Sequence, residues 1–410
     1  MLDARSLQIT GLGAQGDGLA VIEGREVHVP GALPGETIER EADGQFRRTG
    51  PPSPARRGDP LCSHASECGG CSVQHMDDAL YREWKGGLLA SSLSQRGLTC
   101  AIAPMLSVPL ASRRRAGFTG AWIGGAPALG FNACSSHDLV PLTDCAVLRP
   151  TIVSALPKLA RLAAAVVPKG EPFRLSVLAA DNGLDVTIDH KPSREAARST
   201  AIVAQLMRAA CAIRLTCGGE LVLQAAVPVV TIADVAVTPP PGAFLQAASE
   251  TDALLADLVL DGLGKAKRVF DLFSGLGTLS LAIARRARVT AVDSDVSLLE
   301  ALQAAANGAR GLKPIERMRR DLFRDPLSPQ ELAAADTVVL DPPRAGAAAQ
   351  CASLARSKVR RVVMASCDPA TLARDLRVLV DGGYRLESAT PIDQFLFTHH
   401  LEAVTVLTRK

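Results

Sequence analysis

The stretch MASCDPATLARDL, residues 364–376, sets one cysteine, Cys367, between an apolar run and the start of a helix. Asp368 can cap that helix and Pro369 suits its first turn, so the thiol is expected at a helix N-terminus. There the macrodipole favours thiolate, and the Cys367 pKa is expected to fall, with Asp368 opposing the shift. A free thiol is only a few per cent ionised at neutral pH, so such activation matters for a nucleophile and not for a packed core thiol. From these residues alone both readings stand.

A second set of residues suits a nucleoside. VFDLFSGLGTLSLAIA, residues 269–284, reads as a strand, a glycine turn and a helix. Gly275 and Gly277 let backbone approach a ligand closely. The next strand, VTAVDSD, ends in Asp293, where a carboxylate can accept from a ribose diol. The third glycine of a dinucleotide fingerprint is missing, because Leu279 and Ser280 follow Thr278. A mononucleoside-sized cofactor therefore fits better than NAD, and S-adenosylmethionine is the obvious candidate, with Asp321 of MRRDLF placed to hold an adenine edge. A plain glycine turn with a capping Asp is the alternative. TVVLDPPRAG delivers Asp341 to another strand end, followed by two prolines that stiffen the exit.

A third set suits a metal. CSHASECGGC places Cys62, Cys68 and Cys71 five and then two residues apart, with Gly69 and Gly70 allowing the chain to wrap one centre. Three thiolates need a fourth ligand. Ten cysteines in a chain whose N-terminus, MLDARSLQIT, lacks a signal-peptide layout suggest metal binding or catalysis rather than disulfides. Cys100, Cys134, Cys211, Cys217 and Cys351 are read as structural or incidental.

The elements that must position these groups fall into three regions. Residues 1–57 alternate short β-prone runs with Gly and Pro, which predicts a five-stranded barrel of the oligonucleotide-binding type. GPPSPARRGDP, residues 50–60, reads as a linker. Residues 58–240 mix the cysteines with short strands such as FRLSVLAA and GLDVTID and an apolar helix near 196–211. From 241 to 410, the runs KRVFDLF, RVTAVD, DTVVLD and RRVVMAS alternate with helical stretches, which predicts an α/β, doubly wound parallel sheet. Cys367 and Asp341 should then project over its C-terminal edge, where such sheets bind ligands. The last two runs, YRLESATPIDQFL and LEAVTVLTR, are joined tightly and should pair antiparallel at one sheet edge.

The chain has 410 residues, 47% hydrophobic and 21% charged, with a net charge of +3. That is ordinary globular composition with no run long enough to span a membrane, and a cytoplasmic monomer without membrane association is expected. The charge is too small to argue for nucleic acid by itself. The clusters Arg47-Arg48, Arg56-Arg57 and Arg113-Arg114-Arg115 could touch phosphates or lie as solvated surface.

Taken in order, FLQ, DLFSGLGT, DPPRAG, SCDPATLARDL and HHLEAV resemble the RNA uracil-5-methyltransferase family over essentially the whole chain. The N-terminal region resembles the TRAM domain of its ribosomal-RNA members. The resemblance implies a Rossmann-like methyltransferase domain that makes 5-methyluridine in RNA from S-adenosylmethionine. It implies Cys367 as the thiolate that adds to uracil C6, and Glu402, in His400-Leu401-Glu402, as the base that removes the C5 proton. Gln246, Phe273, Thr278, Asp293 and Asp341 become the implied cofactor contacts, and Phe244 an implied neighbour of the target base. Two positions depart from the family pattern: Ala248 stands for Asn, and Thr278 stands for the Asn after the second glycine. By the same resemblance, Cys145 joins Cys62, Cys68 and Cys71 around a [4Fe–4S] cluster. Four thiolates also suit zinc, for which the five-then-two spacing is less usual.

The expected substrate is RNA, with 23S rRNA favoured by the barrel and the four cysteines, and tRNA as the alternative. A catalytically inactive RNA-binding iron–sulfur protein on the same fold is the non-enzymatic alternative. A radical S-adenosylmethionine enzyme would need C-x3-C-x2-C, and a 5-methylcytosine enzyme would need a cysteine where this chain has DPPR.

Overall fold

The computed structural model describes residues 6–41, 44–192 and 200–409. The predicted all-β start is present, but its described residues form six strands in two three-stranded sheets rather than five in one barrel. Ser6–Gln8, Thr37–Arg40 and Phe46–Arg48 form one sheet, and Gly11–Leu12, Gly18–Ile22 and Arg25–Val29 form the other. Both sheets are antiparallel, and Leu7, Ile9, Ala20, Val29, Ala32 and Ile38 form their shared core.

The segment expected as a linker is pinned down. Arg56 forks onto Glu36 with both contacts at 2.7 Å, and the Leu33 and Ser53 backbone N–H groups donate to the same carboxylate. These donors hold Glu36 at about 2, below the ordinary carboxylate range, although burial pushes the other way. Similar pairing occupies most of the basic clusters: Arg47 meets Glu39 and Glu41, Arg48 meets Glu36, Arg57 meets Asp78 and Arg114 meets Asp252, whereas Arg113 and Arg115 line the cavity described below.

The middle of the chain builds a seven-stranded sheet around Arg115–Ile123 and Phe173–Ala180, with the helices Pro150–Val166 and Thr200–Ala209 packed into its core. The expected helix at 196–211 is described only from Thr200, and its first residues lie outside the described ones.

The C-terminal sheet runs in the order Ile315–Arg319, Arg288–Asp293, Arg268–Leu272, Thr337–Leu340, Arg361–Ser366, Glu402–Thr408, Arg385–Asp393, and ends on Ala101–Ile102. Its first five strands are parallel. Successive side chains enter two cores: Phe270, Leu272, Val338 and Leu340 face one side, and Val269 and Val339 the other. Such strands read as continuous apolar runs because helices cover both faces.

Two features differ from the sequence reading. The last two strands do pair antiparallel, but Glu402–Thr408 inserts between Arg361–Ser366 and Arg385–Asp393. The edge is taken by Ala101–Ile102 and Leu106–Ser107, from far earlier in the chain. Their approach is fixed by the helix Asp78–Gln95, which buries Leu89 and Leu93 in the C-terminal core. Nothing local in residues 78–107 signals that partner. No helix among the described residues is long and apolar enough to cross a membrane.

Candidate active site

Strand order reverses between Arg268–Leu272 and Thr337–Leu340, and above that switch point open α/β sheets bind ligands. A cavity of about 1050 Å³ lies there. Its lining includes every site residue read from the sequence: Cys367 and Glu402; Gln246, Phe273, Gly275, Thr278, Asp293, Asp321 and Asp341; and Cys62, Cys68, Cys71 and Cys145.

On the nucleoside side, Asp293 is held by two backbone donors, Gly275 N–H at 2.8 Å and Asp295 N–H at 2.9 Å. Gly277 has φ +90, and a Cβ there would stand 2.3 Å from Leu302 Cδ1, so side-chain volume at this turn is excluded. Thr278 opens the buried helix Thr278–Ala284. Asp321 accepts from the Phe323 and Arg324 N–H groups. The Phe273 and Phe323 rings meet at 5.4 Å. Asp271 Oδ1 and Ser274 Oγ line the cavity and are buried without a protein partner, so a polar ligand has groups to satisfy. Burial raises Asp271 to about 7, against a 2.5 Å bond from Ser280 Oγ.

On the other side, strand register does the positioning. Ser366 faces Ala403 across the antiparallel ladder, so Cys367, one residue beyond, comes level with Glu402. Asp368 caps the helix Pro369–Asp381 through Thr371 N–H, as expected. The expected fall in the Cys367 pKa is reversed: the thiol is pushed up to about 11 by burial, then by Glu402 and Asp341, while Arg344 opposes them. Desolvation beside two carboxylates outweighs the helix terminus. Glu402 is itself pushed up to about 8 by burial and by Asp341, with the Gln394 hydrogen bond pulling it down. Burial also raises Asp341. Glu402 Oε1 is buried without a partner.

Residues that the sequence reading passed over complete this side. Gln394 Nε2 donates to Glu402 Oε2 and to Gln246 Oε1, each at 2.8 Å. Lys85, with no exposed side-chain surface, holds Asp393 at 2.5 Å and the Phe395 carbonyl at 2.7 Å. Arg344 contacts His400 Nε2 at 2.9 Å. Two polar residues, Asp393 and Gln394, in the otherwise apolar run PIDQFLF are the available signal for Gln394; Lys85 has none.

The cysteines converge from distant segments. Cys68, Cys71 and Cys145 are each raised by burial first and then by neighbouring thiols of the same four. Gly70 N–H points at Cys68 Sγ at 3.4 Å, and a Cβ on Gly69 would meet the Asn132 carbonyl at 2.9 Å. No group of three or more His, Cys, Asp or Glu among the described residues closes on a single ion.

The sheet order, with a cavity at its switch point, is that of an S-adenosylmethionine-dependent methyltransferase fold. A family profile for tRNA (uracil-5-)-methyltransferases matches residues 230–410. An uncharacterized RNA methyltransferase of Rhizobium meliloti is 43% identical over 98% of this chain and 99% of its own length. The 23S rRNA (uracil(1939)-C(5))-methyltransferase RlmD of Chromohalobacter salexigens is 34% identical over 99% of this chain and 90% of its own. The crystal structure of Pyrococcus abyssi tRNA (uracil-54, C5)-methyltransferase with S-adenosyl-L-homocysteine aligns with a TM-score of 0.76, at 22% identity, over 99% of this chain and 100% of that one. The chain belongs to the RNA uracil-5-methyltransferase family and is an S-adenosylmethionine-dependent enzyme.

Proposed function

We propose that this enzyme methylates C5 of a uridine in 23S rRNA, with Cys367 as nucleophile and Glu402 as base. The observation that carries the chemistry is the ladder register that sets Cys367 level with Glu402 in one cavity, with Glu402 Oε1 unpartnered. Likeness to RlmD over nearly both full lengths supports the rRNA substrate.

Gln246, Phe273, Gly275, Thr278, Asp293, Asp321 and Asp341 are the residues that would hold S-adenosylmethionine. When bound, it supplies an electrophilic methyl group. Uracil C5 is too weak a nucleophile to take that methyl unaided. Cys367 sulfur therefore bonds to C6, and the C5=C6 pair moves toward O4 to give an enolate that is nucleophilic at C5. The thiol proton passes to solvent before the attack, and Arg344 favours the resulting thiolate. After C5 carries the methyl group, Glu402 takes the C5 proton, the pair re-forms C5=C6, and the C6–S bond breaks to release Cys367.

The uracil must first leave its stack, at a cost of a few kcal/mol. Phe244, 61% exposed beside the cavity under the Arg115 guanidinium at 4.3 Å, offers a face on which a flipped base can stack. The N-terminal β unit and the central sheet supply the remaining RNA contacts in this reading.

Cys62, Cys68, Cys71 and Cys145 would hold a [4Fe–4S] cluster, each giving one thiolate. Thiols gathered round a glycine wrap fit such a group, whose ligands stand farther apart than those of a single zinc ion. The methyl transfer has no redox step, so the cluster's part is structural or RNA-positioning.

The test incubates anaerobically purified protein with S-adenosylmethionine and unmodified rRNA or tRNA, and reads nucleosides by mass spectrometry. 5-Methyluridine in the rRNA supports the proposal. Its appearance only in tRNA favours the tRNA reading, which the description of the family profile also suggests. No methylation in either would leave an RNA-binding protein.

A further inference from the structure

Gln394 sits where three segments meet: the loop after Arg385–Asp393, the FLQ segment, and the start of Glu402–Thr408. Its amide orientation is set by its surroundings. Ala247 N–H can only donate, and it points at the Gln394 carbonyl oxygen at 3.0 Å. Both amide hydrogens therefore face the other way, one to Gln246 Oε1 and one to Glu402 Oε2. Gln246 is oriented in turn, and its own Nε2 points at Asp341 Oδ2, 3.4 Å away. A directed chain thus runs from the Ala247 backbone to the carboxylates of Glu402 and Asp341.

We propose that Gln394 is a positioning residue for proton removal: it fixes one oxygen of Glu402 so that the other faces the substrate, and it keeps that carboxylate able to accept. The proposal rests on Glu402 being the base. The step it serves breaks the C5–H bond, places the proton on Glu402 Oε1, returns the electron pair to C5=C6 and releases the Cys367 thiolate. Glu402 Oε1 is the oxygen without a protein partner, while Oε2 is held by Gln394. Burial and the neighbouring Asp341 favour a protonated, idle Glu402, and donation from Gln394 opposes them. The other charged or titratable groups around the site include Cys367, Arg344, His399, His400, Asp368 and Asp271, with the Lys85–Asp393 pair behind the loop.

The test compares wild type with Gln394→Met, which removes the donors, and Gln394→Glu, which keeps an acceptor for Ala247 N–H but presents no N–H to Glu402. Each is assayed on uridine RNA and on 5-fluorouridine RNA. Fluorine cannot leave C5 as a cation, so the second substrate stops at the methylated covalent adduct and needs no base. Because Gln246 is also a proposed cofactor contact, S-adenosylmethionine is kept saturating for each variant, and the expected result is then adduct formation on 5-fluorouridine RNA at close to the wild-type rate in both variants. On uridine RNA, turnover falls about ten- to hundredfold, the size of one lost hydrogen bond to a charged group. A methylated adduct accumulates on denaturing gels, and the rising limb of the pH–rate profile moves to higher pH. Wild-type turnover and profile in the variants overturn the proposal. So does a parallel loss on both substrates, which would make Gln394 a folding or cofactor residue. If the wild type itself forms no 5-fluorouridine adduct, the nucleophile and base reading falls first, and the Gln394 role falls with it.

Discussion

Lys85 and Asp393, 308 positions apart in the chain, meet at 2.5 Å with neither side chain exposed. Tyr81, one helical turn before Lys85, donates its hydroxyl to the same carboxylate at 2.5 Å and accepts from Phe397 N–H at 2.8 Å. The helix Asp78–Gln95 thereby grips the loop that runs from Gln394 to Glu402. The cysteine-bearing segment joins the grip directly, with Val73 N–H donating to the Phe397 carbonyl at 3.1 Å.

Removing one partner of this pair strands a buried charge. Lys85→Ala is expected to cost about 3–5 kcal/mol, read from the urea unfolding midpoint at constant slope. Lys85→Met with Asp393→Leu should recover part of that stability, because no buried charge is left unpaired, although the Tyr81 hydroxyl and the Phe395 carbonyl each lose a partner. A Lys85→Ala protein as stable as wild type would show that the pair does not anchor the loop.

Cys367→Ala should abolish turnover while leaving S-adenosylhomocysteine binding by calorimetry essentially unchanged. The strand Thr337–Leu340 separates the strand that leads to the Gly275 turn from the one that leads to Cys367. A large loss of affinity would place Cys367 in the cofactor site instead.

Glu402→Gln should trap a covalent protein–RNA adduct, since addition and methyl transfer can proceed but the C5 proton has no acceptor. Persistence of the adduct on a denaturing gel is the readout, and its absence would remove Glu402 as the base. Because Glu402 must be ionised to accept, wild-type turnover should rise with pH through about 8.

The same shift carries a stability signature. Glu402 binds its proton more tightly in the folded chain, about 8 against 4.5, so stability it contributes at low pH is lost as pH rises from about 4.5 through about 8. Glu402→Gln should therefore unfold at a higher temperature than wild type at pH 8.5, with the difference closing near pH 4.5. An unchanged gap across that range would contradict the burial assigned to Glu402.

Gly277→Ala forces a Cβ to within 2.3 Å of Leu302 Cδ1 at φ +90. A loss of about 1–3 kcal/mol is expected from overpacking and backbone strain together, read as a lowered melting temperature. Cofactor affinity should fall with it, because the turn shapes that wall of the cavity.

The sequence by itself determined the parallel strands, the glycine turn with Asp293 after the next strand, and the capped helix behind Cys367. Each is a local pattern: buried strands must be apolar along their length, a positive-φ turn requires glycine, and a helix start requires a cap. It also singled out four cysteines, three by their spacing and the fourth by resemblance, and these line one cavity. The charge state of Cys367 was misjudged, because a helix terminus is visible in sequence while burial beside Asp341 and Glu402 is not. Only the tertiary structure decided that Glu402–Thr408 inserts next to Arg361–Ser366, setting Cys367 level with Glu402. It alone brought residues 78–107 to the sheet edge and laid Gln394 between Gln246 and Glu402. Those contacts join segments up to about three hundred residues apart, and strand register and buried hydrogen bonds are properties of packed surfaces that no local spacing encodes.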